Sequence, residues 1–511
     1  MLLGELGEHH HNAQEHAAAL AAYAEAERLL ATAAPSAEQA RVLGYHAHAL
    51  LESGRPQEAI ARLEQAIAVA RRVGAQAEEA GALDVLASCL DDPAELDRSI
   101  ALHLEARRLA EAIGDAETMI ATYVTLNYTL ELAGQDQDAL DDAREGYQRA
   151  RQLGLERSMG SYIADGLARQ LLVSGRWTEC ERFTAEVLAR DSWAAYLLHA
   201  IRGQLLARQG NFASALTHLD EARRLSPPAV PDPAWVGRAE LALWEGNDEA
   251  ASAALAEGLR RHATPRPGWG LSRHISPWYA LALRLAADQA ERAIARRAVD
   301  ELAELRRRAA PVAAELNRLV SFELPQAGHP GVLCNLRLAQ AELSRLETGS
   351  DQEERWQTAA TAWERLGRLF EAAYARFREA EALLAAAASR PRAERVLRGA
   401  HQTAVKLGAE PLRREIELLA QRGRLRLEQP VDTPAAPRAP SSAAASLGLT
   451  QRELEVLALV AEGRTNRQIG QALFITPKTA GVHVSRILAK LGVAGRGEAA
   501  AVAYRLGLDK H

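Results

Sequence analysis

Apolar residues recur at intervals of three and four along most of the 511-residue chain, the spacing of one face of an α-helix. No segment shows a convincing alternation of apolar and polar residues, which a half-buried strand would require. Alanine, leucine, arginine and glutamate dominate, and aromatic residues make up 5% of the sequence, a composition that suits closely packed helices. Because the chain is too long for one core, we predict an all-α fold with several domains or a repeat array.

Within residues 40–262 the helical pattern itself repeats. Each unit has a first helix of small and apolar residues, a turn that usually contains glycine, and a second helix with an alanine stripe, most clearly in 43–67, 203–227 and 234–259. The turn glycines are 80, 41, 35 and 36 residues apart, and the gap of 80 accommodates one further unit near 83–106, whose turn has no glycine. These glycines are Gly54, Gly134, Gly175, Gly210 and Gly246.

This period resembles that of the tetratricopeptide repeat, a helical hairpin of about 34 residues. The resemblance implies stacked hairpins in a right-handed superhelix, with a concave surface that recognises a protein or a small-molecule effector. Small residues such as Ala47, Ala87 and Gly203 would let the two helices of a hairpin approach closely. An array that serves only as a scaffold is the alternative.

Composition divides the chain further. Residues 263–278 contain three prolines, two glycines and two tryptophans, so they form either a joint between two arrays or a functional loop. Helical periodicity resumes over 279–427, and 428–446 is rich in proline, alanine and serine, as in a semi-extended linker. The predicted plan is therefore tetratricopeptide-like repeats over 1–262, a second helical-repeat region, and a small separate domain over 447–511.

The small domain has strong signals for helix boundaries. Three threonines precede helical runs; two of them are followed three residues later by Glu or Gln, and the third by proline, so all three are expected to be N-caps. Two glycines lie where helices should end. The caps are Thr450, Thr465 and Thr476, and the stops are Gly463 and Gly492.

The second and third helices of this domain, residues 466–473 and 477–491, are joined by a short turn and are expected to form a helix-turn-helix. The third helix has one apolar face, whereas the opposite face carries basic and small residues but no acid, so it can enter a major groove without repelling phosphate. The apolar face is Ala480, Val484, Ile487 and Leu491; the opposite face is Lys478, Gly481, Val482, Ser485, Arg486 and Lys490.

Residues 449–506 resemble the DNA-binding domain of the LuxR family of bacterial transcription regulators. The match has no gaps and implies a four-helix domain that binds double-stranded DNA, as a homodimer on two half-sites. The matching residues are Leu449, Thr450, Arg452, Glu453, Val456, Leu457, Gly463, Asn466, Ile469, Leu473, Thr479, His483, Ile487, Lys490, Leu491, Arg496, Glu498 and Ala499.

The helix pattern and the resemblance together assign roles within the domain. One departure limits them: the family often has Val-Lys after the recognition-helix threonine, whereas this chain has Ala480 and Gly481, so the base preference is not carried over. We expect base edges to be faced by Gly481, Val482, Ser485 and Arg486, phosphates to be contacted by Thr465, Asn466, Thr476, Lys478, Thr479, His483 and Lys490, and the dimer face to consist of Gly497, Ala500, Ala501 and Tyr504.

The formal net charge of −6 is unevenly distributed. Residues 447–511 contain nine Lys or Arg and five Asp or Glu, a net charge of +4, which leaves −10 for the remainder. A basic domain on an acidic body is typical of a DNA-binding module attached to one that does not bind DNA.

Three distant cysteines, Cys89, Cys180 and Cys334, offer no disulfide framework, which indicates a reducing cytoplasm. The sequence also has neither a signal-peptide pattern nor an apolar run of 18 residues, so no membrane association is expected.

Helical repeats directly before such a domain also resemble the C-terminal part of the large MalT-like regulators, which carry an ATP-binding module at the N-terminus. Their phosphate-cradling loop needs a lysine after a glycine, but none of the four lysines here follows one. We therefore expect no ATP or other cofactor. The chain is interpreted as a shortened relative, or the C-terminal part, of a longer ATP-binding regulator.

Other candidate sites carry less weight. His9, His10, His11 and His16 lack an accompanying cysteine or fixed carboxylate, so a solvated helix end is preferred to a metal site. The acidic pairs at 91–92 and 141–142 are expected to be solvated. Tryptophans of the middle third either line an effector pocket or pack between repeats. They are Trp177, Trp193, Trp235, Trp244, Trp269 and Trp278.

No catalytic arrangement of side chains emerges, so we expect the protein not to be an enzyme. The rival to a transcription regulator is a helical-repeat interaction scaffold with little DNA-binding activity.

Overall fold

The structure is a computed structural model that describes residues 2–12, 15–190, 192–227, 233–262, 275–323, 328–348, 352–386, 389–427, 449, 451–473 and 476–505. Every regular element among these residues is an α-helix, which confirms the predicted all-α class. The chain divides into two compact units, Met1–Leu427 and Glu428–His511, and each is described by itself.

The first unit consists of successive helices that form hairpins. Its helices are α1 (Leu2–Asn12), α2 (His16–Leu30), α3 (Ala37–Glu52), α4 (Pro56–Val73), α5 (Gln76–Cys89), α6 (Leu96–Ile113), α7 (Ala116–Leu132), α8 (Asp136–Gln152), α9 (Gly160–Val173), α10 (Trp177–Leu188), α11 (Ala195–Gln209), α12 (Phe212–Leu225), α13 (Trp235–Glu245), α14 (Asp248–His262), α15 (Ser276–Ala295), α16 (Val299–Glu323), α17 (Pro330–Glu347), α18 (Gln352–Arg365), α19 (Leu369–Ala385), α20 (Arg390–Leu407) and α21 (Glu410–Gly423).

Hairpin packing follows the predicted tetratricopeptide-like pattern. Helix α3 packs on α4, α5 on α6, α11 on α12 and α13 on α14, while α3 also contacts α5 and α11 contacts α13. All five predicted turn glycines have φ between 68° and 84°, a region that glycine enters without steric cost. The turn between α5 and α6 has no glycine, as predicted.

Small side chains set the spacing between helices. Ala47, Ala59 and Ala215 are fully buried, and a β-carbon added at Gly203 would lie 2.6 Å from Leu219 Cγ. Any larger residue at Gly203 would therefore force α11 and α12 apart, which explains why the repeats are rich in alanine and glycine.

The second half of the first unit folds back on the first half. A β-carbon at Gly134 would lie 2.9 Å from Pro330 Cγ, and one at Gly175 would lie 2.8 Å from Leu407 Cδ2. Arg368, before α19, donates from Nε to Asp136 Oδ2 over 3.0 Å. One hydrophobic core therefore includes residues from both halves, from Ala80 to Leu425.

Helix α19 lies at the centre of this core. Of its residues, only the last, Ala385, is exposed. Phe370 packs against Trp177 of α10, and the Tyr374 hydroxyl donates to Glu342 Oε1 of α17 over 2.6 Å. A helix that is buried on all sides must satisfy its polar side chains internally, and α19 does so largely through arginine–carboxylate pairs.

Two predictions about individual residues were wrong. Trp278, placed in the joint over 263–278, lies in α15, which begins at Ser276 because Pro277 is tolerated in the first helical turn. Asp142, expected to be solvated, has a side chain that is only 10% exposed and pairs with Arg107 Nη1 at 2.6 Å. Its neighbour Asp141 is exposed, as predicted. Asp91 is half-buried, and burial raises the pKa of its carboxyl to about 6.

Some predicted features lie outside the described residues: the linker over 428–446, most of the joint, Trp269 and the Thr450 cap. The described tryptophans differ in burial. Trp177 and Trp235 are buried in the core, Trp244 and Trp278 are half-buried, and Trp193 is 67% exposed.

None of the helices in the described part of the chain has both the length and the apolar character needed to cross a membrane. Among the same residues, no three His, Cys, Asp or Glu side chains are grouped as a metal ion would require.

The second unit contains α22 (Gln451–Ala461), α23 (Asn466–Ala472), α24 (Pro477–Leu491) and α25 (Arg496–Arg505). Thr465 and Gln468 form the predicted capping box, and Thr476 caps α24 with Pro477 in the first turn. Gly463 and Gly492 have φ of 77° and 66° at the predicted helix ends. Its core contains Val456, Leu457, Val460, Ala461, Ile469, Ala480, Val484, Ile487, Ala499 and Ala503.

Candidate nucleic-acid interface

Helix α24 has one buried and one exposed face. Ala480, Val484 and Ile487 are at most 8% exposed and pack against α22 and α23. On the opposite side Val482 is 44% exposed, and Ser485 and Arg486 are exposed beside it. The exposed face therefore combines one apolar group, one hydroxyl and one guanidinium, which are side chains that can contact base edges in a major groove.

The N-termini of α23 and α24 are both exposed. Thr465 Oγ1 accepts from Gln468 N over 3.4 Å, and Thr476 Oγ1 accepts from Thr479 N over 3.1 Å. The hydroxyls of Thr476 and Thr479 lie 2.8 Å apart. The two capping threonines, Thr465 and Thr476, are therefore placed by these bonds, and both remain exposed to solvent, as does Thr479.

Asn466 is held in place by the fourth helix. Its Oδ1 accepts from Arg496 Nη1 over 2.9 Å, and the same guanidinium also donates to the Arg464 carbonyl. The Asn466 amide faces Gly481, because a β-carbon added there would lie 3.2 Å from Asn466 Nδ2. The glycine that departs from the family pattern thus allows α23 and α24 to approach closely at this point.

Lys490 has a partner within the domain that the sequence did not predict. Its Nζ lies 2.6 Å from Glu453 Oε2, and the Glu453 side chain is only 5% exposed. The predicted role of Lys490 as a phosphate contact therefore competes with the need to compensate a buried carboxylate. Glu453 had been assigned only to the cap of α22, because its cross-helix partner is 37 residues away.

A second unpredicted contact fixes the angle between α22 and α23. Arg452 Nη2 donates to the Leu473 carbonyl at the end of α23 over 2.7 Å. A cation at a helix C-terminus also interacts favourably with the helix dipole. Arg467, on α23, is exposed and was not among the predicted contacts. The only sequence feature that could have identified it is its positive charge on the helix before α24.

The remaining predicted residues fall in three groups. His483 is half-buried, and its Nδ1 has no hydrogen-bond partner among the described residues. Lys478 and Tyr504 lie in α24 and α25, but their side chains are outside the described set. On α25, Gly497 and Ala501 are exposed and Ala500 is half-buried, so small residues cover this helix surface.

The second unit matches a known family. Residues 447–503 match the family model described as bacterial regulatory proteins, luxR family. The relatives include the transcriptional regulatory protein LiaR of Bacillus subtilis, 56% identical over 57 residues, and the DNA-binding transcriptional activator DevR/DosR of Mycobacterium tuberculosis, 48% identical over 59 residues. These segments cover 11% and 12% of this chain and 27% of each relative, so the chain matches only about a quarter of their length.

The repeats have structural neighbours at low sequence identity. A tetratricopeptide repeat protein from Parabacteroides merdae aligns with 52% of this chain and 94% of its own, at 16% identity and a TM-score of 0.34. The human IFIT1 dimer aligns with 82% of this chain and 89% of its own, at 14% identity and a TM-score of 0.36. Because these TM-scores are low, the assignment of helical hairpins depends on the helix packing described above and not on these neighbours.

Proposed function

We propose, from the premise that residues 447–503 form a LuxR-type helix-turn-helix domain, that this protein is a bacterial DNA-binding transcription regulator. One observation carries the proposal: α24 exposes Val482, Ser485 and Arg486 opposite its buried face, on a helix whose sequence contains no acid. Such a surface can lie in a major groove at close range because it presents no charge that repels phosphate.

Residues near the centre of α24 are proposed to contact the base edges. Arg486 can donate two hydrogen bonds to a guanine, Ser485 can contact either purine, and Val482 can contact a thymine methyl group. Gly481 permits close approach at the same face. Removing Arg486 should cost about 1–3 kcal/mol at one position of the binding site and relax sequence preference there.

Phosphate contacts fall to the exposed helix N-termini and their surroundings. Thr465, Thr476 and Thr479 present hydroxyls there, and Lys478 and His483 follow on α24. Asn466 and Lys490 also have partners inside the domain, so their proposed share in phosphate binding is reduced by those contacts.

The active form is proposed to be a homodimer on DNA. Two copies would pair through the small residues of α25, Gly497, Ala500 and Ala501, with Tyr504 beside them. Two recognition helices would then read half-sites about one helical turn, roughly 34–36 Å, apart.

The repeats are proposed to sense a protein or small-molecule effector, or to mediate self-association, in a cytoplasmic regulator. The sequence assigns them to residues 1–262 and 279–427, joined to the DNA-binding domain by the linker over 428–446.

The test uses the full chain. Genome-wide mapping of bound sites would supply a promoter fragment, whose affinity is then measured by fluorescence anisotropy at about 100 and 200 mM salt. Saturable binding that survives nonspecific competitor and falls steeply with salt supports the proposal. Arg486→Ala should lose sequence preference, whereas Arg414→Ala, on the exposed surface of α21, should leave it unchanged.

The second candidate is a repeat scaffold with little DNA binding. It is favoured by the net charge of −10 outside residues 447–511 and by the internal pairing of Lys490. No enrichment of any genomic site, together with equal affinity for all fragments, would favour the scaffold over the regulator.

A further inference from the structure

A cluster of aromatic and charged side chains lies where the two halves of the first unit meet. The Trp244 ring, on α13, lies 6.5 Å from the Phe370 ring and 6.3 Å from the Tyr374 ring, both on α19. Each pair is edge-to-face, with interplanar angles of 67° and 90°. The three rings thus present both faces and edges to the groups around them.

Two arginines stack on these rings. Arg208 of α11 places its guanidinium carbon 4.3 Å from the Phe370 ring centre, and Arg284 of α15 places its own 4.2 Å from the Trp244 ring centre. Their side chains are 5% and 10% exposed. Stacking leaves the edge of each guanidinium available for hydrogen bonds in the plane of the group.

Four polar atoms of this cluster are buried and have no hydrogen-bond partner among the described residues. Three are donors: Arg208 Nη1, Arg284 Nε and Trp244 Nε1; the fourth, Glu371 Oε2, is an acceptor. Arg284 Nε lies 3.7 Å from Asp288, which is too long for a hydrogen bond. Buried polar groups in native proteins are almost always paired, so four on one cluster indicate a bound molecule or ordered water.

The surrounding charges restrict the type of molecule. The ion pairs form two separate networks, one containing Arg208 and the other containing Arg284. Each has one more carboxylate than it has guanidinium groups, so a free anion would meet a net negative shell. A free cation would leave the three donors unpaired. The guanidinium groups are those of Arg208, Arg284, Arg345 and Arg378, and the carboxylates are those of Glu240, Asp288, Glu291, Glu342, Glu371 and Glu381.

We propose that this cluster is the binding site of a free α-amino acid. The ligand carboxylate accepts hydrogen bonds from Arg208, Arg284 and Trp244, and its ammonium group donates to Glu371. The zwitterion supplies acceptors for the three donors and a donor for the one acceptor, without adding net charge to the shell.

Binding at this site would be coupled to the packing of the two halves of the first unit. Arg208 comes from the first half and Glu371 from the second, and they already pair at 3.1 Å. An amino acid that bonds to both would stabilise the folded-back arrangement of the repeats. If the protein is the proposed regulator, this stabilisation would also alter its binding to DNA. Only that consequence rests on the proposed function; amino-acid binding itself does not.

Binding is measured without DNA, so its failure is distinct from failure of the proposed function. The full chain is titrated by isothermal calorimetry with each of the twenty protein amino acids, and separately with acetate and inorganic phosphate. At least one amino acid should bind with a stoichiometry of one, and acetate and phosphate should not bind. If none of the twenty binds at millimolar concentration, the four atoms are hydrated and the proposal is wrong.

Variants locate the site. Trp244→Phe keeps a ring but removes the indole N–H, and Glu371→Gln keeps the shape but removes the negative charge; each should weaken binding about tenfold or more. Trp193→Phe changes an exposed tryptophan and should leave the affinity unchanged. Thermal unfolding of each variant reports whether it folds. Should Glu371→Gln not fold, Trp244→Phe alone decides, because undiminished binding to that variant places the ligand elsewhere.

Discussion

The ammonium group of Lys490 lies 2.6 Å from the carboxylate of Glu453 and joins the C-terminal half of α24, the proposed recognition helix, to α22. The Lys490 side chain is 38% exposed and that of Glu453 only 5%, so solvent reaches the lysine but hardly reaches the carboxylate. Removing the lysine would leave a buried carboxylate without this compensating charge, so Lys490 stabilises the domain as well as facing solvent.

Lys490→Met should therefore destabilise the second unit by about 1–3 kcal/mol, because the hydrogen bond from the ammonium group to a buried carboxylate is lost. Hydrogen exchange of the α22 and α24 amides in the full chain measures this cost. Lys478→Gln is the comparison for DNA binding: it should reduce the salt dependence of DNA affinity by about one unit of slope. The reverse pattern, in which Lys490→Met changes only the salt slope, would make Lys490 a phosphate contact rather than a structural residue.

Packing as well as helix propensity determines how well alanine is tolerated in place of Gly481. Alanine in place of a glycine inside a helix stabilises it by about 1 kcal/mol, but a β-carbon at Gly481 would lie 3.2 Å from Asn466 Nδ2. Asn466 cannot yield freely because Arg496 holds its Oδ1. Gly481→Ala should therefore gain clearly less than 1 kcal/mol.

The control for this substitution is Gly399→Ala, inside α20, where an added β-carbon meets nothing within 4 Å. This variant should gain the full amount, about 1 kcal/mol. Chemical denaturation of both variants, with helicity as the probe, gives the comparison. Equal gains in the two would show that Asn466 moves aside without cost.

Local features of this fold are predictable from sequence, and long-range ones are not. The caps Thr465 and Thr476 and the glycine turns depend on interactions within a few residues, so the sequence pattern specifies them. The contact between Gly134 and Pro330 joins positions almost two hundred residues apart and has no local signature. The fold-back of the first unit was missed for that reason.

The candidate site shows the same division. Helical periodicity correctly placed Val482 and Arg486 on the exposed face of α24. It could not show that Lys490 pairs with Glu453, or that Asp142 pairs with Arg107, because periodicity identifies the face of a helix but not its partner. Nor could it show that Gly481, which departs from the family pattern, faces Asn466 of the neighbouring helix.

The stability of the first unit should depend on the protonation of His218. Burial, together with the nearby His199 and Arg202, lowers the pKa of His218 to about 4. Its Nε2 accepts from Arg202 Nε over 3.1 Å, so protonation there would break a hydrogen bond and bring two cations together. The unfolded chain binds this proton at its ordinary pKa of about 6.5, so stability is lost as the pH falls from about 6.5 towards 4.

Thermal unfolding of the full chain at pH 7.5 and 5.5 tests this dependence. The unfolding midpoint should fall at the lower pH, and His218→Gln should reduce the difference because it removes the group that titrates. His401→Gln replaces another histidine of the same unit and serves as the control for loss of an imidazole. A pH dependence that is the same in His218→Gln and the parent would assign the effect to other groups.

The packing of the second half of the first unit against the first half should depend on Arg368. Its guanidinium pairs with Asp136 at 3.0 Å and lies 3.9 Å from Glu131, and all three side chains are at most 14% exposed. Burial raises the pKa of Asp136, and Arg368 opposes that rise by favouring the charged form. Arg368→Met would remove this cation from Asp136, whereas Glu131 would keep its pair with Arg169, at a cost of about 3 kcal/mol or more.

Hydrogen exchange should locate that cost at the turn between α7 and α8 and at the start of α19, where the two halves meet. Arg318→Met removes an exposed arginine that pairs with Glu315 on the same helix, so it should change stability by less than about 0.5 kcal/mol. If Arg368→Met is as mild as this control, apolar contacts such as Gly134 with Pro330 hold the two halves together without the ion pair. A large effect confined to the turn and α19 would instead show that the buried charges fix how the second half docks on the first.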